Sequence, residues 1–197
     1  MYTTMKKTFE TELPQGYTPV KVIDAKAKKT AIIFNVVSTV ITLLFAALAV
    51  IVLLPPNFFE GFAMGPYFVF FGSLFAYIVL HELLHGLAYW LLTKQKLTFG
   101  VTLSVAFCGV PHIYVYRKTA LISLLAPFTV FTLVFGAAAL WLPDAWYRFY
   151  ALLLFGIHFG GCVGDLYDTL LYLFKFLRPD TLMQDTGPKQ TFYVKQP

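Results

Sequence analysis

The chain has 197 residues, 58% of them hydrophobic and 13% charged, with a formal net charge of +5. That balance excludes a soluble globule, and an aromatic share of 18%, with 21 Phe and 12 Tyr, suits a lipid-facing surface with interfacial belts. The positive charge does not call for nucleic acid, because the basic residues flank apolar runs, where they set the orientation of a membrane protein.

In chain order, residues 1–29 form a polar segment with no apolar core followed by a small-residue cleavage site, so no cleavable signal peptide is expected. A first apolar span runs from about Thr30 to Leu54 and stops at Pro55-Pro56, where a helix cannot continue. A second covers Tyr67 to Leu92, a third about Thr119 to Leu142 with Pro127 inside it, and a fourth about Ala145 to Leu177. Each is long enough for a hydrocarbon core that needs roughly 20 helical residues. Between the second and third spans, Leu97, Phe99, Val101, Leu103, Val105 and Phe107 alternate as in a β-strand. Gly109 and Pro111 then suggest a turn, and Ile113 and Val115 a second strand. The rival reading of this stretch is an interfacial loop. Cys108 and Cys162 are too few for a disulfide framework and read as packing thiols.

The expected fold is therefore an all-α integral membrane protein. It has four transmembrane helices, a short β-hairpin between the second and third, and a 30–178 membrane domain between an N-terminal segment (1–29) and a C-terminal tail (179–197). Lys and Arg concentrate before the first span, between the second and third, and after the fourth, which puts both termini in the cytoplasm.

His81, Glu82 and His85 form an H-E-x-x-H motif inside the second span. On a helix the two imidazoles are one turn apart and project from one face, where they can share a Zn²⁺ ion. Glu82, beside that face, is the candidate general base. Ionisable groups are costly in a membrane helix and are tolerated mainly where they line a polar site, which disfavours the alternative of two packing histidines.

A catalytic zinc site takes three protein ligands. His112, His158, Cys162, Asp165 and Asp168 are the candidates for the third. The motif lies about 15 Å from the inner end of its span and Asp165 about 18 Å from the inner end of the fourth, so their depths match. Gly156, Gly160 and Gly164 make a groove on one face of the fourth span, expected to bring Asp165 against the second; the rival use of that groove is plain helix packing or a homodimer. Asp168 is one turn further in and reads as an outer-shell or water-facing carboxylate, with a ligand role kept open. His158 lies about 10 Å further out and reads as packing or outer-shell support. His112 reads as a hairpin histidine or as a group at the site mouth, with Cys108 nearby as a soft donor.

HELLHGL in a membrane helix, Ala126-Pro127 in the next and Gly164-Asp165 in a later one resemble the zincin membrane peptidases of a domain-of-unknown-function class. These are similar in turn to the site-2 proteases. The resemblance runs from about His81 to the C-terminus. It implies an aspartate ligand in a later span, usually in an Asp-Gly pair. Here Asp165 follows Gly164 and precedes Leu166, which keeps Asp168 in play. It also implies a membrane-embedded hairpin that aligns substrate, similar to the reading of Leu97 to Tyr116.

Together these readings describe an intramembrane zinc metalloprotease of a prokaryotic cytoplasmic membrane. His81, His85 and Asp165 hold Zn²⁺, Glu82 is the base, and the substrate is a membrane-embedded or membrane-adjacent peptide segment. Two rivals remain: a zinc hydrolase of lipid or another non-peptide substrate, and a non-catalytic metal-binding membrane protein. The second has no need of Glu82.

Overall fold

The computed structural model describes residues 7–60, 64–101 and 106–196. Three helices are long and apolar enough to cross a membrane: α1 (Lys28–Leu53), α2 (Met64–Thr93) and α3 (Arg117–Trp141). Helices α4 (Ala145–Gly161) and α5 (Val163–Phe174) meet at a 52° bend and make a fourth span if counted as one. The apolar faces of these helices stay largely uncovered by protein, with Ile51 on α1 80% exposed, as expected where lipid is the solvent. Asp144 starts α4 by accepting hydrogen bonds from the Trp146 and Tyr147 amides, a standard N-cap.

The all-α expectation is corrected by seven strands among the described residues. β1 (Phe9–Glu10), β2 (Tyr17–Asp24), β5 (Tyr114–Tyr116), β6 (Leu182–Asp185) and β7 (Lys189–Lys195) form an antiparallel sheet in the order β1-β5-β6-β7-β2. The two terminal segments are thus strands rather than loose tails. Sequence patterning missed them because β2 pairs with β7, and residue Tyr17 meets Lys195; nothing local announces a partner so far along the chain.

β3 (Thr98–Val101) and β4 (Ala106–Gly109) form a two-stranded antiparallel hairpin. The expected hairpin exists with a different pair of strands, and Leu103 and Val105 lie outside the described residues. The Pro111-His112 turn instead leads from β4 to β5, which joins the larger sheet. Gly109 is needed for a close approach: a Cβ there would lie 2.4 Å from the Gly187 amide nitrogen.

By internal contacts the chain comprises two units, Met1–Ala31 with Glu82–Ala126 and Leu166–Pro197, and Ile32–His81 with Pro127–Asp165. In the first, the sheet packs on α5, where Phe192 meets Tyr172 and Phe176 at ring separations of 5.1 and 5.0 Å. Val115, Leu182, Met183 and Phe192 are fully buried there, and a core aromatic of this kind stabilises the fold by about 3 kcal/mol. In the second, α1 lies along α4. A Cβ at Gly156 would come within 2.4 Å of Phe45, and one at Gly160 within 2.6 Å of the Thr42 hydroxyl.

That contact corrects a second expectation. The Gly156, Gly160 and Gly164 face receives Phe45, Thr42, Ser38 and Phe34 of α1, not α2. Glycine spacing reports that some helix comes close, but it does not say which.

Candidate metal centre

Helix α2 is unbroken through residues 81–85, so His81 and His85 stand one turn apart on one face. Both are buried, and Glu82 beside them is partly exposed. Each ring is held by its Nδ1, by a different means.

For His85 the partner is the Ser123 carbonyl of α3, at 2.8 Å. In an unbroken helix that carbonyl would accept from the amide of residue 127. Residue 127 is proline, which has no N–H, so the carbonyl is released to His85. A carbonyl only accepts; the His85 Nδ1 therefore carries the proton and the Nε2 carries the lone pair. For His81 the Nδ1 partner is the Tyr77 hydroxyl, 3.2 Å away and one turn earlier on α2.

Asp165 comes from the bend between α4 and α5. α4 ends at Gly161, the chain turns at Cys162, and Asp165 falls in the first turn of α5, where the helix dipole favours a carboxylate. Its Oδ2 is 3.4 Å from the His81 Nε2. That is long for a charge-assisted N–H···O⁻ bond, which runs at about 2.7–2.9 Å. It matches another arrangement: two donors each about 2.0–2.1 Å from one tetrahedral zinc are about 3.3–3.4 Å apart. Two imidazoles and a carboxylate, with both Nδ1 atoms already engaged, make a donor set suited to zinc. His81 and Asp165 belong to one set of donors that could hold a metal ion, with His85 one turn further along the same helix, and His81, His158 and Cys162 form another.

The other candidates fall elsewhere. Asp168 is buried on α5 and belongs to neither group. His112 is exposed in the β4–β5 turn and also belongs to neither, so the structure does not bring it to these donors. Cys108 packs against Gly86, where a Cβ would meet its sulfur at 3.2 Å and the Phe99 ring at 2.7 Å. Gly86 thus lets the hairpin lie directly on α2 beside His85. Burial above all, then the charges of Asp185 and Glu82, pushes the Cys108 thiol up to about 12, so it stays protonated.

Sequence reasoning missed Tyr77, Tyr89 and Asp185. Tyr77, His81, His85 and Tyr89 recur every four residues and share one face of α2, a signal that was readable. Tyr89 donates to Asp185 at 2.8 Å, and that buried carboxylate also accepts from the Gly187 amide and from Gln190. Asp185 reaches α2 only because β6 does, and no local pattern marks it.

A family model described as "Putative zincin peptidase" matches residues 74–178, just over half of the chain. The chain belongs to that family. The membership carries a metallopeptidase activity and a zinc cofactor as its coarse description. No curated protein and no solved structure matches the chain.

Proposed function

We propose that this zincin-family protein is an intramembrane zinc metallopeptidase in which His81, His85 and Asp165 hold the metal and Glu82 is the general base. The observation that carries the reading is the 3.4 Å separation of the His81 Nε2 and Asp165 Oδ2, which fits the edge of a zinc tetrahedron and is long for a charge-assisted hydrogen bond. Helix continuity places the His85 Nε2 on the same face one turn on.

When bound, zinc would supply the Lewis acidity that brings a water toward neutral pKa and polarises the scissile carbonyl. Glu82 would serve as the general base toward the attacking water and then as the general acid toward the leaving amine. Tyr77 and Ser123 orient the two imidazoles. The hairpin presents the substrate: Val101 on β3 is 83% exposed, and β3 runs beside the motif through Gly86. A membrane segment laid on that strand becomes extended, which exposes carbonyls that a helix hides. The alternating Lys and Arg distribution supports cytoplasmic termini.

Glu82→Gln tests the reading. Purified in detergent, the variant should keep its zinc and lose about 10²–10⁴-fold in cleavage of a labelled membrane peptide. Undiminished turnover would remove Glu82 from the role of base.

A further inference from the structure

Behind His81 a line of polar groups runs through an otherwise aromatic interior. The Tyr77 hydroxyl lies 3.2 Å from the His81 Nδ1 and 3.3 Å from the His158 Nδ1. On its far side the His158 Nε2 lies 3.2 Å from the Phe128 carbonyl and 3.2 Å from the Thr132 hydroxyl. His158 is fully buried, with Phe128 stacked on it at 5.6 Å and Phe131, Phe135 and Phe159 around it.

The directions of these bonds follow from the end of the line. Phe128 offers a carbonyl, which only accepts, so the His158 Nε2 carries the proton and its Nδ1 the lone pair. That lone pair accepts from the Tyr77 hydroxyl. Having donated its one proton, the Tyr77 oxygen accepts from the His81 Nδ1, which must then carry a proton. The lone pair of His81 is left on Nε2, the atom that faces Asp165. The backbone of α3 thus sets the tautomer of a histidine on α2 through two intermediate side chains.

We infer that Tyr77 and His158 are positioning residues that lock His81 in the Nε2-ligating tautomer and fix its ring plane. The inference rests on the reading of His81 as a zinc ligand. It also explains why a polar His158 persists in an aromatic cage, since its ring is the one group there that can accept from Tyr77 and donate to Phe128 together. The His81, His158 and Cys162 donors could instead serve a thiophilic ion, with the Cys162 sulfur 3.5 Å from the His158 Nδ1. The relay is favoured because the Tyr77 hydroxyl already stands between the two ring nitrogens.

The test uses the full chain in detergent, with zinc affinity from chelator competition and the His81 tautomer from ¹⁵N-detected imidazole NMR of the zinc-free protein, where no metal fixes it. Tyr77→Phe keeps the ring against Phe131 and Phe135 and should lower zinc affinity about 10- to 100-fold. His158→Phe should cost a similar factor, and the double variant no more than either alone, as for two members of one chain. Both should broaden the single His81 tautomer into a mixture. Wild-type affinity and a single tautomer in Tyr77→Phe would overturn the relay while leaving the metallopeptidase reading intact. So would a sulfur-to-metal absorption band in the cadmium-loaded protein that Cys162→Ser abolishes. A wild-type chain that binds no zinc would overturn the reading itself, and the relay with it.

Discussion

His81 and His85 occupy successive turns of α2, yet their surroundings differ in kind. The turn at His85 is braced by main chain: the Ser123 carbonyl set free by Pro127, and the hairpin seated on Gly86. The turn at His81 is braced by side chains: Tyr77, then His158, then the α3 backbone. Main-chain support depends on one residue that lacks an N–H, and survives most substitutions around it. Side-chain support can be broken at several positions. The side-chain turn is also the one that faces Asp165, so the adjustable histidine is the one opposite the carboxylate.

The largest effects should come from the proposed ligands themselves. His81→Ala and His85→Ala should both lose zinc, as read by metal content after dialysis, by more than the ~10–100-fold that an outer partner costs. Equal zinc in wild type and both variants would end the comparison at its root.

Next come the aspartates. Asp165→Asn should match the histidine variants in zinc loss, whereas Asp168→Asn, on a buried residue outside the donor group, should cost about 10- to 100-fold at most. The reverse order would move the third ligand one turn along α5.

Pro127→Ala probes the main-chain brace directly. The new amide would compete with His85 for the Ser123 carbonyl, so zinc affinity should fall by up to about tenfold. Stability should move the other way, because an interior proline costs a helix about 3 kcal/mol, offset in part by the small cavity left at a fully buried site. A thermal midpoint that rises while zinc weakens is the expected signature. Unchanged zinc affinity would mean that the freed carbonyl is incidental.

The effect furthest from the metal concerns Asp185 and is read in stability, with no change expected in zinc affinity. Burial above all raises its carboxyl to about 6 in the folded chain, against the bonds from Gly187, Tyr89 and Gln190 that lower it. A group raised on folding contributes stability in full below its unfolded pKa, near 4, and that contribution is lost as pH climbs through 6. On the order of 3 kcal/mol should therefore disappear between about pH 4 and 6. Asp185→Asn should flatten that window in denaturation experiments, since the amide keeps a hydrogen-bonding group of the same shape and does not titrate. A slope unchanged by the substitution would assign the window to another group.

Glycine patterning shows where sequence reasoning stops. The Gly156, Gly160 and Gly164 face was readable as a groove, but it accommodates α1. Gly161, one residue away, is the one that approaches α2, with its Cβ position 3.1 Å from the Tyr77 hydroxyl. Depth matching and the groove argument both pointed to Asp165, and the groove argument rested on the wrong neighbouring helix. The hairpin shows the same limit: period-2 alternation marks strands, but not which strand pairs with which or which sheet receives each.

What the sequence determined by itself is whatever depends on neighbours along the chain. The apolar spans, the one-turn spacing of His81 and His85, the placement of Glu82 and the break in the α3 ladder at Pro127 all follow from helix geometry and residue type. The tertiary structure alone decided which carbonyl the proline releases to which histidine, that Tyr77 joins His81 to His158, and that two polar termini meet as strands of one sheet. Those are contacts between residues as far apart in the chain as Tyr17 and Lys195, or Gly16 and Gln196. Their cost is loop closure and their gain is burial, and neither is written in any local run of residues.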